Sequence, residues 1–285
     1  MRACSLDGLV DHTMSPDLMF WLALLAKMAV VAVFVVLAAV ITERAGPLIG
    51  ALIITLPISA GPAYVFLAID HDAHFVAQSA LASLVVNAST GAFALTYATL
   101  AQKRGVTFSL FLALGLWLAI GLLSRNEAWT VTGALVLNVI LYSIYLTLGR
   151  HFLSVAKPRV NRRGYDVPLR AAMVACLVAT TVAASHYIGP ALTGLIAAFP
   201  VVFTSLIIIL HPRIGGPATA SVVAHGLPGL LGLGVAMLVL QVSAVPFGST
   251  IALTLGLATS ITWNIALWLA QRQRWRFAVC GVSNS

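Results

Sequence analysis

Long apolar runs follow one another down the chain, separated by short charge clusters or by glycine-proline pairs. A helix needs about 20 apolar residues to cross the hydrocarbon core of a bilayer. Runs of that kind cover about 18–41, 47–69, 75–99, 106–123, 129–148, 168–188, 190–210, 217–241 and 248–270. They predict an all-α membrane protein with about nine transmembrane helices. The second and seventh runs contain prolines, so a re-entrant segment at either place is an open alternative. Ahead of the first run, Asp7, Asp11 and Asp17 outnumber the lone Arg2. That is a poor start for a cleaved signal peptide, and the run reads as a retained helix. Ser15 is placed to cap it, with Pro16 at its first position. Met14 therefore reads as a better start than Met1, and residues 1–13 as an extended or misassigned tail.

Composition makes the membrane reading compulsory. Of 285 residues, 60% are hydrophobic and only 8% charged. A soluble domain carries about 25% charged residues. Mean hydropathy is +1.01. The sequence pI of about 9.9 invites a nucleic-acid partner, but the placement of the charges argues against one. With nine crossings, Arg44, Lys103, Arg104, Arg150, Lys157, Arg159, Arg162, Arg163, Arg170, Arg213, Arg272, Arg274 and Arg276 share one side. Arg2 and Arg125 take the other. Thirteen against two places the N-terminus in the periplasm and the C-terminus in the cytoplasm, for a multi-pass protein of a bacterial-type inner membrane. The basic stretch 157–163 reads as an orientation signal that can also touch anionic headgroups. Cys4, Cys176 and Cys280 are far apart and form no disulfide or metal-ligand pattern.

The chain also repeats itself. The stretch from Gly46-Pro47 through Gly50 to Pro57 recurs without a gap as Gly189-Pro190 through Gly194 to Pro200. At the same offset Lys27 falls on Arg170. After a short gap, Ala82-Ser83-Leu84-Val85-Val86-Asn87 matches Ala220-Ser221-Val222-Val223-Ala224-His225, and Gly91 falls on Gly229. Spans 1–4 then form one repeat (18–123), spans 6–9 another (168–270), and span 5 with a basic cytoplasmic loop (124–167) links them. Residues 1–17 form a periplasmic tail and 271–285 a cytoplasmic one. An even-numbered unit followed by one linking crossing forces the second copy upside down, and inverted repeats are a transporter signature.

The motif Gly194-Leu195-Ile196-Ala197-Ala198-Phe199-Pro200, with His211 ending the span and Gly216 soon after, resembles the GlpM-type bacterial membrane proteins. The stretch Thr55-Leu56-Pro57-Ile58-Ser59-Ala60-Gly61-Pro62 is similar to a larger set of uncharacterised bacterial membrane proteins with the same two-copy layout. The resemblance covers about one span in each half. It implies a fold relationship and no substrate.

Candidate chemistry lies in the polar and helix-breaking residues inside the spans. Pro57 and Pro62 interrupt span 2 and Pro200 interrupts span 7. With Ser59, Thr204 and Ser205 nearby, these helices could open and expose backbone groups to a solute; the plainer reading is a kink. Asn87 and His225 occupy matching places in spans 3 and 8, where a polar side chain is costly unless it pairs or lines water. His225 would suit proton coupling; the plainer reading for both is an interhelical bond. Lys27 and Arg170 could favour an anionic solute or anchor each helix to its headgroup layer. Asp70-His71-Asp72-Ala73-His74 fits no zinc signature, so no metal site is expected.

No P-loop, dinucleotide fingerprint or Gly-x-Ser-x-Gly elbow occurs, and no intramembrane acid, base and metal set is evident. The sequence reads as a non-enzyme without a cofactor. Its expected partners are the bilayer and a small-molecule or ion substrate; a homodimer is an open alternative. The leading expectation is a secondary transporter or exporter of a small solute, anionic in one version. The alternative is a non-transporting scaffold or envelope-assembly partner.

Overall fold

The computed structural model describes residues 16–44, 60–155 and 163–282. Pro57, Ser59, the Gly46-Pro47 motif, the basic stretch 157–162 and the tail 1–13 lie outside the described residues. The described chain is helical: α1 (Pro16–Arg44), α2 (Ala60–Asp70), α3 (Ala73–Leu100), α4 (Val106–Ser124), α5 (Val131–Gly149), α6 (Asp166–Ala197), α7 (Val201–Ile214), α8 (Gly216–Phe247) and α9 (Ser249–Val282). A single 3₁₀ turn, Arg150–Phe152, follows α5. Among the described residues no strand occurs.

Among the described residues seven helices are long and apolar enough to cross a membrane, and α2 and α7 are shorter apolar helices. This is a multi-pass, all-α membrane architecture. The expected boundary at 188–190 is present as the bend at Gly189, where α6 changes from one helical segment to the next. The stretch 190–210 is not one uninterrupted span but is split between the end of α6 and α7. The last helix also continues beyond 270 into the expected tail. Residues 257–280 hold neither glycine nor proline, so nothing local stops it.

Gly189, Gly215 and Gly248 have φ of 72°, 80° and 83°. This region is open to glycine and costly for other residues. It lets one helix turn into the next within a single residue. Pro190 and Pro217 then stand at the start of the following helix, where a missing N–H is harmless.

Contacts show how the chain runs back and forth. At one end, the corner before α3 meets the end of the first α6 segment, where His71 Nε2 lies 2.7 Å from Ser185 Oγ. At the other end, Gly216 lies against the Ala101 carbonyl, and the Ser221 hydroxyl donates to the Val155 carbonyl at 3.3 Å. This second end gathers Lys103, Arg104, Arg150, Arg163 and Arg213 and is called the basic end below. The first carries His71, His74 and His186 and is called the histidine end. The first segment of α6 runs from the basic end to the histidine end. Residues 190–214 return beside α3. Gly194 meets Ser83, Phe199 stacks edge-on to Trp117 at 5.4 Å, and His211 reaches Tyr97 at 2.7 Å.

Helix α3 is the hub. Ser79, Ala80, Ser83, Ala88 and Ala94 are all buried, and such small residues let neighbouring backbones approach closely. A Cβ on Gly194 would strike the Ser79 carbonyl, so only glycine fits that crossing. Large apolar side chains point outward from the peripheral helices, Phe111 at 79% and Leu123 at 70% exposure. Water would not tolerate such a surface, and lipid does.

Candidate functional site

The return crossing breaks in the middle. Pro200 lacks an N–H, its ring clashes with the preceding turn, and it pushes Phe199 away from helical geometry. Pro200 has φ −76° and ψ 53°. The Val201 N–H donates to the Phe199 carbonyl at 2.7 Å, which closes a three-residue turn. Before the break, the Phe199 N–H reaches only back to Ile196, at 3.0 Å. After it, α7 begins with no side-chain cap. The first N–H groups of α7 and the positive end of its dipole therefore face the break. Thr204, in the same turn, is 5% exposed and its hydroxyl has no partner. The neighbouring Ser205 hydroxyl turns back onto the Val202 carbonyl at 2.9 Å.

A polar chain leads to this break. The Ser83 hydroxyl donates to the Gly194 carbonyl at 2.7 Å. Its single hydrogen is thereby used, so the Tyr64 hydroxyl, also 2.7 Å away, must donate to Ser83. Tyr64, Ser83 and Gly194 thus tie α2, α3 and the last turn before the break together. One turn up α3, Ser79 is fully buried with an unpartnered hydroxyl.

Asn87 lies elsewhere. Its Nδ2 donates to Asn138 Oδ1 and to the Leu230 carbonyl, both at 3.1 Å. Asn138 Nδ2 donates in turn to the Leu84 and Ala134 carbonyls at 2.8 and 2.9 Å, and Tyr142 donates to the Asn87 carbonyl at 2.9 Å. This network welds α3, α5 and α8. His225 shares Asn87's register in the sequence but not its place. It is exposed, and its Nδ1–H bonds the Ser221 carbonyl of its own helix at 2.7 Å.

Lys27 is committed within the protein, its ammonium 2.8 and 2.5 Å from the two Asp70 carboxylate oxygens. Arg170 is half-buried, one turn along α6 from Asp166. Pro62 is half-buried in the first turn of α2 and borders an apolar cavity of about 670 Å³ with Phe34, Tyr64, Met237 and Leu257. A second cavity, of about 420 Å³, opens at the histidine end between Gln78, Arg125, Glu127, Trp129 and Pro190. The structure therefore groups Pro200, Thr204 and Ser205 at the break and disperses Asn87, His225, Lys27 and Arg170. The Tyr64–Ser83–Gly194 chain carries no sequence signal beyond a serine inside an apolar run. In the corner 70–74, Asp72 caps α3 through the Phe75 N–H at 2.8 Å.

The His71 ring stacks on Phe75 and lies 5.0 Å from that of His186. Burial, then the neighbouring His186, holds its pKa below the ordinary imidazole range. The folded chain thus favours the neutral ring. This contribution to stability is complete above the ordinary histidine pKa of about 6.5 and is lost as pH falls toward the lowered folded value. His71→Gln keeps a partner for Ser185 without a titrating ring. It should flatten the loss of melting temperature between about pH 7.5 and 5.5; an unchanged pH slope would remove His71 as its source.

Compared with protein-family models, curated proteins and solved structures, the chain matches none.

Proposed function

We propose that this protein is a secondary transporter or exporter built from two inverted four-helix repeats, with its N-terminus periplasmic and its C-terminus cytoplasmic in an inner membrane. The broken return crossing carries the reading. An uncapped helix start and an unpaired buried hydroxyl inside a membrane protein suit a solute that presents an anionic or hydrogen-bond-accepting group.

Two further observations support it. Under the repeat, α1 corresponds to the first segment of α6, α2 to α7, α3 to α8 and α4 to α9. Exchanging these partners carries several of the contacts onto one another. α3 packs on α8, α1 packs on α6, and α2 meets α9 as α7 meets α4. The clustering of arginines and lysines at one end is what the positive-inside rule expects of a cytoplasmic face. With no nucleotide-binding motif in the sequence, an ion or solute gradient or a partner protein would supply the drive.

The test begins with a thermal-stabilisation screen of purified protein against small organic and inorganic anions, followed by flux of each hit in proteoliposomes. Thr204→Val removes the hydroxyl at nearly constant volume. Flux of the hit is expected to fall about tenfold with melting unchanged. Absence of any hit, together with co-purification of a fixed partner, would favour the scaffold reading instead.

A further inference from the structure

Two ion pairs stand at opposite ends of the helical layer, and the repeat relates them. At the histidine end Lys27 of α1 holds Asp70, the last residue of α2. At the basic end Asp166, the first residue of α6, receives two bonds from Arg213 in the last turn of α7, at 2.8 and 2.5 Å. The shift of 143 residues that lays Gly46-Pro47 on Gly189-Pro190 also lays Asp70 on Arg213 and Lys27 on Arg170. Asp166 is one helical turn from Arg170. Each pair therefore ties the first helix of a repeat to the far end of the second, with the charges reversed. In the first repeat the cation sits on the first helix. In the second repeat the cation sits on the second helix.

We infer that these pairs are the two gates of the pathway, Lys27–Asp70 closing it at the histidine end and Asp166–Arg213 at the basic end. The inference rests on the transport reading above. α2 and α7 are the elements that reach the mid-layer break and its Tyr64–Ser83 tether. Releasing the end of either one from its neighbouring helix uncovers the break from one side. All four side chains are largely covered, at 21% and 15% exposure in one pair and 11% and 12% in the other. Breaking a pair leaves two charges to be resolvated, and breaking both leaves four. The state with both pairs open is therefore the most costly of all, so a pathway open to both sides at once is disfavoured, as alternating access requires. The surroundings brace the closed forms. Lys27 also lies over the Phe66 ring at 5.6 Å, and His186 Nε2 stands 3.9 Å from Asp70. At the other end the Arg163 N–H donates to Asp166 at 3.0 Å, and Arg213 lies over the Tyr165 ring at 5.1 Å.

The experiment reads sidedness without needing a substrate. Ala198→Cys, at the break, is introduced into a chain whose native cysteines are replaced by alanine. A membrane-impermeant maleimide is then applied to right-side-out and inside-out vesicles. Asp70→Asn should raise the labelling rate from the histidine end about tenfold and lower it from the basic end. Asp166→Asn should do the reverse. The charge exchange Lys27→Asp with Asp70→Lys should restore the parental pattern, and it serves as the second reading if Asp70→Asn folds poorly. Parental labelling from both sides in folded single variants would overturn the gates, as would a rise from the same side in both. A mere staple would change melting without reciprocal sidedness. Reciprocal labelling with no solute flux would keep the gates and sink the transport reading. Solute flux with unmoved labelling would do the opposite.

Discussion

Replacing Pro200 with alanine should mend the broken crossing and stop the proposed transport while leaving the protein folded. A proline inside a helix costs about 3 kcal/mol relative to alanine. Here the chain meets that cost by unwinding at Ala198 to Pro200. Alanine restores an N–H able to bond the Ile196 carbonyl, removes the ring clash and frees Phe199 to take helical angles. The continuous helix then gains about 3 kcal/mol, which is roughly a hundredfold change in population. Hydrogen exchange at the Val202 and Phe203 amides should slow by about that factor. Flux of any solute found by stabilisation screening should fall comparably, and the melting temperature should hold or rise. Unchanged exchange at these two amides would mean that tertiary packing, and not the proline, maintains the break. Unchanged flux with slowed exchange would show that the break is not the solute site.

Asn87→Leu is expected to destabilise the interior. It removes both donations from Nδ2, to Asn138 and to Leu230, and leaves the Asn138 amide oxygen buried without a partner. A hydrogen bond in a membrane protein averages about 0.6 kcal/mol and reaches about 1.7. The Asn87 Oδ1 is itself buried without a partner, so the orphaned Asn138 oxygen replaces one already present, and the two lost bonds come to about 1–2 kcal/mol. Thermal or denaturant unfolding in detergent would measure it. Asn87→Leu combined with Asn138→Leu should cost less than the sum of the two, because the second change removes the orphan left by the first. His225→Leu, at the position that the sequence aligns with Asn87, should stay within about 0.5 kcal/mol, since that ring is exposed and bonded to its own helix. Equal losses at Asn87 and His225 would contradict the distinction between an interior weld and a surface side chain.

That contrast marks where reading from sequence stops. The positions of the helices were legible because they follow from local quantities: the length of an apolar run, the Gly-Pro pairs that start a new helix, and a proline that cannot continue one. The break at Pro200 was legible for the same reason. So was the gathering of basic residues, since loop charge is a local property. The alignment of Asn87 with His225 proposes only that the two stand at the same height on paired helices. It could not say which way each one points, because rotation about the helix axis is set by neighbours. Asn87 faces α5 and α8, whereas His225 faces away.

The sequence by itself determined that this chain is a helical membrane protein, roughly where its helices lie and where one of them breaks, since backbone sterics and transfer into lipid act within a few residues. Only the tertiary structure decided that Lys27 answers Asp70 across 43 positions and Asp166 answers Arg213 across 47. It alone joined Tyr64, Ser83 and the Gly194 carbonyl in one chain. Such meetings depend on which helix faces pack together. That choice is made by the shape of many small side chains at once, Gly194 against Ser79 among them, and no single stretch of sequence encodes it.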